Sequence, residues 1–275
     1  MLDHGLFVKA VSKSFHQNNQ PVVMALDRVS LAVAAGEFVS ILGPSGCGKS
    51  TLLDMVAGLS NPDEGDILLG KQSIVGKRGY VSYMPQSDLL FPWRTVLDNV
   101  IIPLQLQRIG IAEARKEALD LLPVFGLEKF AHSYPDMLSG GMRQRAALLR
   151  TYLCKRDLLL LDEPFGKLDA LTKIQMQQWL LDIWEQFKPS VLFVTHDIDE
   201  AILLSDRIYL LSPRPGRLQA EIMVQLPRPR NPRITTNSAF ARIKEKVYRY
   251  LENGLFNWEE NRLHDTKQNV NIFRG

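Results

Sequence analysis

The chain has 275 residues, 33 Lys+Arg against 30 Asp+Glu, 45% apolar and 23% charged residues, and two cysteines. This length holds one large domain or two small ones, and this composition excludes a disordered chain, a collagen-like repeat and a coiled-coil rod. Cys47 and Cys154 can build neither a disulfide framework nor a four-ligand zinc site, so reduced thiols are expected.

The N-terminus, Met1-Leu2-Asp3-His4-Gly5, has no basic segment followed by an apolar one and does not read as a signal peptide. Residues 7–14, 28–33, 66–69 and 80–84 are short strand-like pieces. Turn residues separate them, among them Asn18-Asn19 and Pro62-Asp63-Glu64-Gly65. They predict an antiparallel sheet. Residues 38–42 read as a buried strand that enters a glycine-rich loop and then a helix. Residues 95–153 read as helix only, with Ala114, Ala118, Leu121 and Leu122 on one stripe of a helix at 112–124.

Further buried strands are predicted at 158–161, 191–194 and 208–211. Amphipathic helices at 170–187 and 198–204 lie between them. The alternation predicts a parallel sheet flanked by helices, into which the all-helical stretch is inserted. The most apolar runs, 158–161 and 198–204, are far short of the ~20 residues of a membrane span. A soluble intracellular protein is expected, one that reaches a membrane only by docking.

Five prolines between 213 and 232 lead to a last helix at 238–252, carrying Phe240, Ile243, Val247 and Leu251. Residues 228–275 hold ten Lys/Arg against five acids, while residues 1–227 are slightly acidic. No overall basic field for nucleic acid exists. The tail suits an anionic membrane surface, a partner, or simply a solvated helix face.

Gly43-Pro44-Ser45-Gly46-Cys47-Gly48-Lys49-Ser50-Thr51 matches G-x-x-x-x-G-K-[ST]. Gly46 and Gly48 allow backbone N–H groups to wrap a phosphate, and the following helix points its positive end at the same anion. Lys49 supplies a fixed charge for the β- and γ-phosphates, and the Ser50 hydroxyl suits Mg²⁺. Cys47, near this helix start, is expected to have a lowered thiol pKa.

Residues 158–161 run into Asp162-Glu163-Pro164. Carboxylates at the end of a parallel strand face the crevice where ligands bind. Asp162 would hold Mg²⁺ through water, and Glu163 would polarise an attacking water. Leu138-Ser139-Gly140-Gly141 opens a helix expected at 144–153, with Ser139 as its N-cap. This is a second anion site without a lysine of its own, which wants a phosphate delivered by another element.

Together these motifs resemble those of the ATP-binding-cassette (ABC) ATPases over residues 6–226. Leu-Ser-Gly-Gly-x-x-Gln-Arg at 138–145 matches the signature motif of that family. The resemblance implies an α/β fold: a P-loop NTPase core with a parallel sheet, an antiparallel β subdomain and an α-helical subdomain inserted at about 87–153. Residues 227–275 would form a basic extension with one helix. It implies ATP and Mg²⁺ as ligands, with Ser50, Asp162 and Gln86 toward the metal.

Gln86 sits where the Q-loop glutamine is expected and His196 where the switch histidine is. With Glu163 they form the implied catalytic set. Leu168-Asp169 resembles the D-loop, and Phe15 either stacks on adenine or is core. Lys167 departs from the small residue usual there, and is expected to leave hydrolysis intact. A head-to-tail homodimer, or a pair of ATPase subunits, would place each ATP between the phosphate loop of one copy and Ser139, Gly140 and Gly141 of the other.

The segments 212–217 and 226–230 resemble the bacterial subfamily that powers uptake of nitrate, sulfonate, taurine, bicarbonate or thiamine precursors. That implies a peripheral subunit on the cytoplasmic side of the bacterial inner membrane. Its partners would be an integral-membrane permease and a periplasmic or lipid-anchored binding protein, with no nucleic acid. Phe91-Pro92-Trp93-Arg94 either lines the permease-docking groove or is an internally packed turn. Two alternatives stand beside this reading: a soluble nucleic-acid or ribosome switch, and a regulatory module with a degenerate ATPase.

Overall fold

In the computed structural model, residues 5–16 and 22–252 are described. Residues 1–4, the turn expected at Asn18-Asn19 and the part of the basic tail beyond 252 lie outside them. Six strands form the main sheet in the order β10-β9-β3-β8-β7-β6. They are β3 (Phe38–Leu42), β6 (Ser82–Met84), β7 (Leu158–Asp162), β8 (Ser190–Thr195), β9 (Arg207–Leu211) and β10 (Leu218–Met223). All neighbours run parallel except β10, which pairs antiparallel with β9 at one edge.

The central strands read as unbroken apolar runs because both faces are covered. With side chains alternating along a strand, Val39, Ile41, Leu158, Leu160, Leu192 and Val194 fall into one core. Phe38, Leu42, Leu159, Leu161, Val191 and Phe193 fall into the other. The first core includes Leu52, Leu53, Met55 and Val56 of α1 (Lys49–Val56). A four-stranded antiparallel sheet closes it, in the order β2-β1-β4-β5, from β1 (Leu6–Phe15), β2 (Val23–Val33), β4 (Glu64–Leu69) and β5 (Gln72–Ser73).

The second core is covered by helices: α2 (Val96–Val100), α3 (Ile102–Leu106), α4 (Ile111–Leu121), α5 (Gly140–Tyr152), α6 (Ala170–Phe187) and α7 (Ile198–Leu204). The stripe expected on α4 holds, with Ala114 and Ala118 fully buried. The last helix, α8 (238–252), packs onto this side through Phe240 and Val247. Arg230, just before it, is buried and donates to five carbonyls around the end of α7.

Two sequence expectations change. Residues 80–84 are expected in the antiparallel sheet, but β6 lies at the edge of the main sheet, parallel to β7. Three residues carry too little pattern to name their partner. The helix expected at 144–153 begins instead at Gly140, because Ser139 accepts from the Met142 N–H and caps it there.

Candidate nucleotide site

Strand register alone gathers the motifs. Leu42 pairs with Thr195, Asp162 with Val194, and Met84 with Leu161. The carboxyl ends of β3, β8, β7 and β6 therefore lie side by side, and the loops leaving them share one edge. Those loops carry the phosphate loop, His196, Glu163 and Gln86.

Gly48 caps α1 with φ of +104°, and a Cβ there would lie 2.7 Å from Leu26 Cδ2 and 2.9 Å from the Ala25 carbonyl. Only glycine fits that turn. Lys49 is buried, with Nζ donating to the carbonyls of Gly43 at 2.8 Å and Pro44 at 3.0 Å. A cavity of about 610 Å³ opens over the loop, lined by Ser45, Gly46, Gly48, Lys49, Ser50 and Thr51. Gln86, Glu163 and Phe15, the last 45% exposed, also line it. Gly43, Pro44 and His196 line a second, smaller apolar cavity instead.

Glu163 stands in a left-handed conformation, φ +43°, its N–H donating to Val194 O at 3.0 Å. That geometry costs a non-glycine residue ~1–3 kcal/mol. Its Oε2 accepts from Gln86 Nε2 at 3.3 Å and lies 3.1 Å from His196 Nδ1.

Asp162 is buried, and burial raises its pKa; the Ser50 hydroxyl works the other way, Glu163 and Asp54 add to the rise, and Lys49 opposes it. Its Oδ1 has no hydrogen-bond partner among the described residues. An orphaned buried carboxylate oxygen beside a serine hydroxyl fits a hard divalent cation, which takes oxygen ligands.

Ser139, Gly140 and Gly141 do not join this cavity; none of them lines it. They form the start of α5, where a Cβ on Gly141 would press on Thr172 of α6. Asp169 caps α6, accepting from the N–H groups of Leu171 and Thr172, both at 3.1 Å. The unexpected Lys167 donates to Ser87 Oγ at 2.9 Å, spanning from the loop after β7 to the loop after β6.

One expectation is overturned. The Cys47 thiol is raised, not lowered, because it is 1% exposed and burial outweighs the pull of Lys49 and nearby N–H groups. Sequence reasoning also missed three residues. Lys173 on α6 pairs with Asp197 and Glu200, both at 2.8 Å, and so fixes the segment next to His196. Burial works against the Asp197 charge, but Lys173 and the Glu200 and Asp199 N–H groups hold its pKa below the usual range.

Asn99 is fully buried. Its side chain donates to the carbonyls of Phe91, Arg94 and Thr95 and accepts from the Phe91 N–H. Arg214 lines the main cavity and donates from Nε to Gly46 O at 3.1 Å. None of the three has a periodicity to betray it; Arg214 stood in the 212–217 segment that resembles an uptake subfamily, a Pro- and Gly-rich loop after a core strand that gave it no role of its own.

The family described as ABC transporter matches residues 26–166. An aliphatic sulfonates import ATP-binding protein, SsuB, of Bacillus cereus is 42% identical over 247 residues, 90% of this chain and 96% of that protein. An uncharacterized ABC transporter ATP-binding protein of Methanocaldococcus jannaschii is 42% identical over 247 residues, 90% of this chain and 91% of that one. Among solved structures, the ATP-binding cassette MJ0796, dimeric and bound to ADP and Pi, superposes with a TM-score of 0.70. It has 32% identity over 80% of this chain and 99% of that one. The chain thus belongs to the ABC transporter family, as one of its ATP-hydrolysing cassettes.

Proposed function

We propose that the chain is the ATPase subunit of a bacterial importer, acting as a head-to-tail pair on the cytoplasmic face of the plasma membrane. The observation that carries the pairing is the split site: a phosphate loop over one cavity, and outside it the α5 N-terminus, with Ser139 exposed, Gly140 half-buried and Gly141 buried. Facing copies would complete each other, with ATP between them. Loss of the γ-phosphate contacts on hydrolysis would loosen the pair.

Within each half-site Lys49 and the loop N–H groups bind phosphate, and Phe15 supports the base. Glu163 Oε2 orients and deprotonates the attacking water, held in place by His196 and Gln86. Asp162 and Ser50, with Gln86, would hold Mg²⁺, which supplies charge neutralisation on the phosphates. Asp169 caps α6 in each copy, at the seam where the two would meet.

Import is supported by the relatives named for it, at 42% identity over 90% of the chain. No described helix is long and apolar enough to cross a membrane. Docking to a permease is supported by the loop after Gln86. Trp93 is 70% exposed and Phe91 40%, with ring centroids 5.2 Å apart and the Arg94 guanidinium over Phe91. A contiguous exposed aromatic pair fits a partner surface.

The cargo would be a small nutrient, anionic or like a thiamine precursor, chosen by the permease and a separate binding protein. Affinity purification of the tagged chain from detergent-solubilised membranes tests this. An integral-membrane permease should co-purify stoichiometrically; recovery of the chain alone, or with ribosomes, would overturn the importer reading.

A further inference from the structure

Arg214 belongs to the loop after β9, within the 212–217 segment, to which no contact with nucleotide is assigned above. Among the described residues lining the main cavity, only Lys49 and Arg214 are cations. Lys49 reaches it from α1, its Nζ on the loop carbonyls. Arg214 reaches it from across the loop, past Gly46.

The backbone that carries Arg214 is fixed independently of its side chain. Gly216 donates to Ala25 O at 2.9 Å and accepts from the Asp27 N–H at 3.0 Å. A Cβ on Gly216 would overlap the Cys47 carbonyl oxygen, so this loop rests directly on the phosphate loop. Ser212 Oγ accepts from the Arg217 N–H and donates to Pro215 O, both at 2.9 Å. Arg217 pairs with Asp27. These tethers, to β2 and within the turn itself, hold the backbone at Arg214 in place without help from its side chain. What it adds is a guanidinium fork at the mouth of a phosphate site, and that fork matches phosphate oxygens.

We propose that Arg214 is a nucleotide-binding residue, a second cation for the di- or triphosphate beside Lys49. This rests on the nucleotide reading given above. The rival role is a strut for the Gly46 carbonyl, which a neutral donor could also fill.

Three variants of the full chain separate the two: Arg214→Ala, Arg214→Gln and Arg214→Lys. MgADP affinity is measured by calorimetry, KM and kcat for MgATP by phosphate release, and the unliganded Tm by calorimetry. With a phosphate contact, Arg214→Ala and Arg214→Gln each weaken MgADP by about tenfold, since a charge-assisted contact is lost. Arg214→Lys keeps most of the affinity, and the loss appears more in KM than in kcat. If Arg214→Gln binds MgADP like the wild type, or if Tm falls while affinity stays, Arg214 is a strut and the proposal fails. If the wild-type chain itself binds no MgADP, the nucleotide reading fails first.

Discussion

His196 Nδ1 lies 3.1 Å from Glu163 Oε2, although the two residues leave different strands. Their distance is set by the pairing of Asp162 with Val194, which aligns the ends of β7 and β8. Gln86 reaches the same oxygen from β6. Glu163→Gln keeps the shape and removes the base. Turnover should fall at least about 100-fold, the scale of a lost general base. An ATP-bound dimer should accumulate in light scattering. Hydrolysis near the wild-type rate, or a monomer at high concentration with ATP, would contradict the assigned role.

Asp162 couples stability to chemistry. Its pKa is raised in the folded chain, so the unfolded chain ionises first as pH rises past the ordinary 3.8. From there up to the raised folded value, stability drains away, and above it the penalty is constant. Asp162→Asn removes that penalty. The unliganded variant should melt higher than the wild type at neutral pH, with the gap closing toward pH 4. It should also lose Mg²⁺-dependent hydrolysis. A lower Tm at neutral pH would show that burial is not what governs this carboxylate.

Trp93 makes its ring contact with Phe91 on the surface and lines neither of the cavities by the phosphate loop. Trp93→Ala should leave soluble ATP hydrolysis within twofold of the wild type and cut permease recovery by about tenfold or more, as for a central aromatic anchor. Unchanged recovery in the pull-down would remove the loop from the docking surface.

Lys167 donates to Ser87 in an exposed hydrogen bond, worth about 1 kcal/mol. Lys167→Ala should therefore change turnover by less than tenfold. A larger change would mean that the link between the two loops is part of the catalytic cycle.

Arg230 gathers carbonyls from Ile202, Leu203 and Ser205 on one side and Val224 and Leu226 on the other. Burial, and then the neighbouring Arg228, pull its pKa down to about 10, against Asp206 and Glu185, so it is charged at neutral pH. Arg230→Met leaves buried carbonyls without donors. A loss of about 3 kcal/mol is expected, a fall in Tm of roughly 6–12 °C by thermal denaturation. A change under 2 °C, on the same scale, would mean water replaces the guanidinium.

How much of this was legible in the sequence depended on how local each cause was. The phosphate loop was readable because backbone wrapping of an anion needs glycines at fixed, adjacent positions. Strands β3, β7, β8 and β9 were readable because burial on both faces writes an unbroken apolar run. The partner of β6 was not, since pairing across 77 residues, as Ser82 with Leu159, leaves no mark in three residues. The first turn of α5 was hidden by Gly140 and Gly141, which have poor helix propensity and are held by Ser139 and packing against α6. For Cys47 two opposing effects were in play, and only the burial seen in the fold shows which is larger.

Asn99 has one further consequence. Its amide grips main-chain atoms of the 91–95 segment and no side chain. The identities of Phe91, Trp93 and Arg94 can thus drift without unseating the scaffold beneath them. In the importer proposed above, such a cassette would resemble a tool with an exchangeable bit: evolution could refit its tip to a new membrane partner while the engine behind it stays as it is.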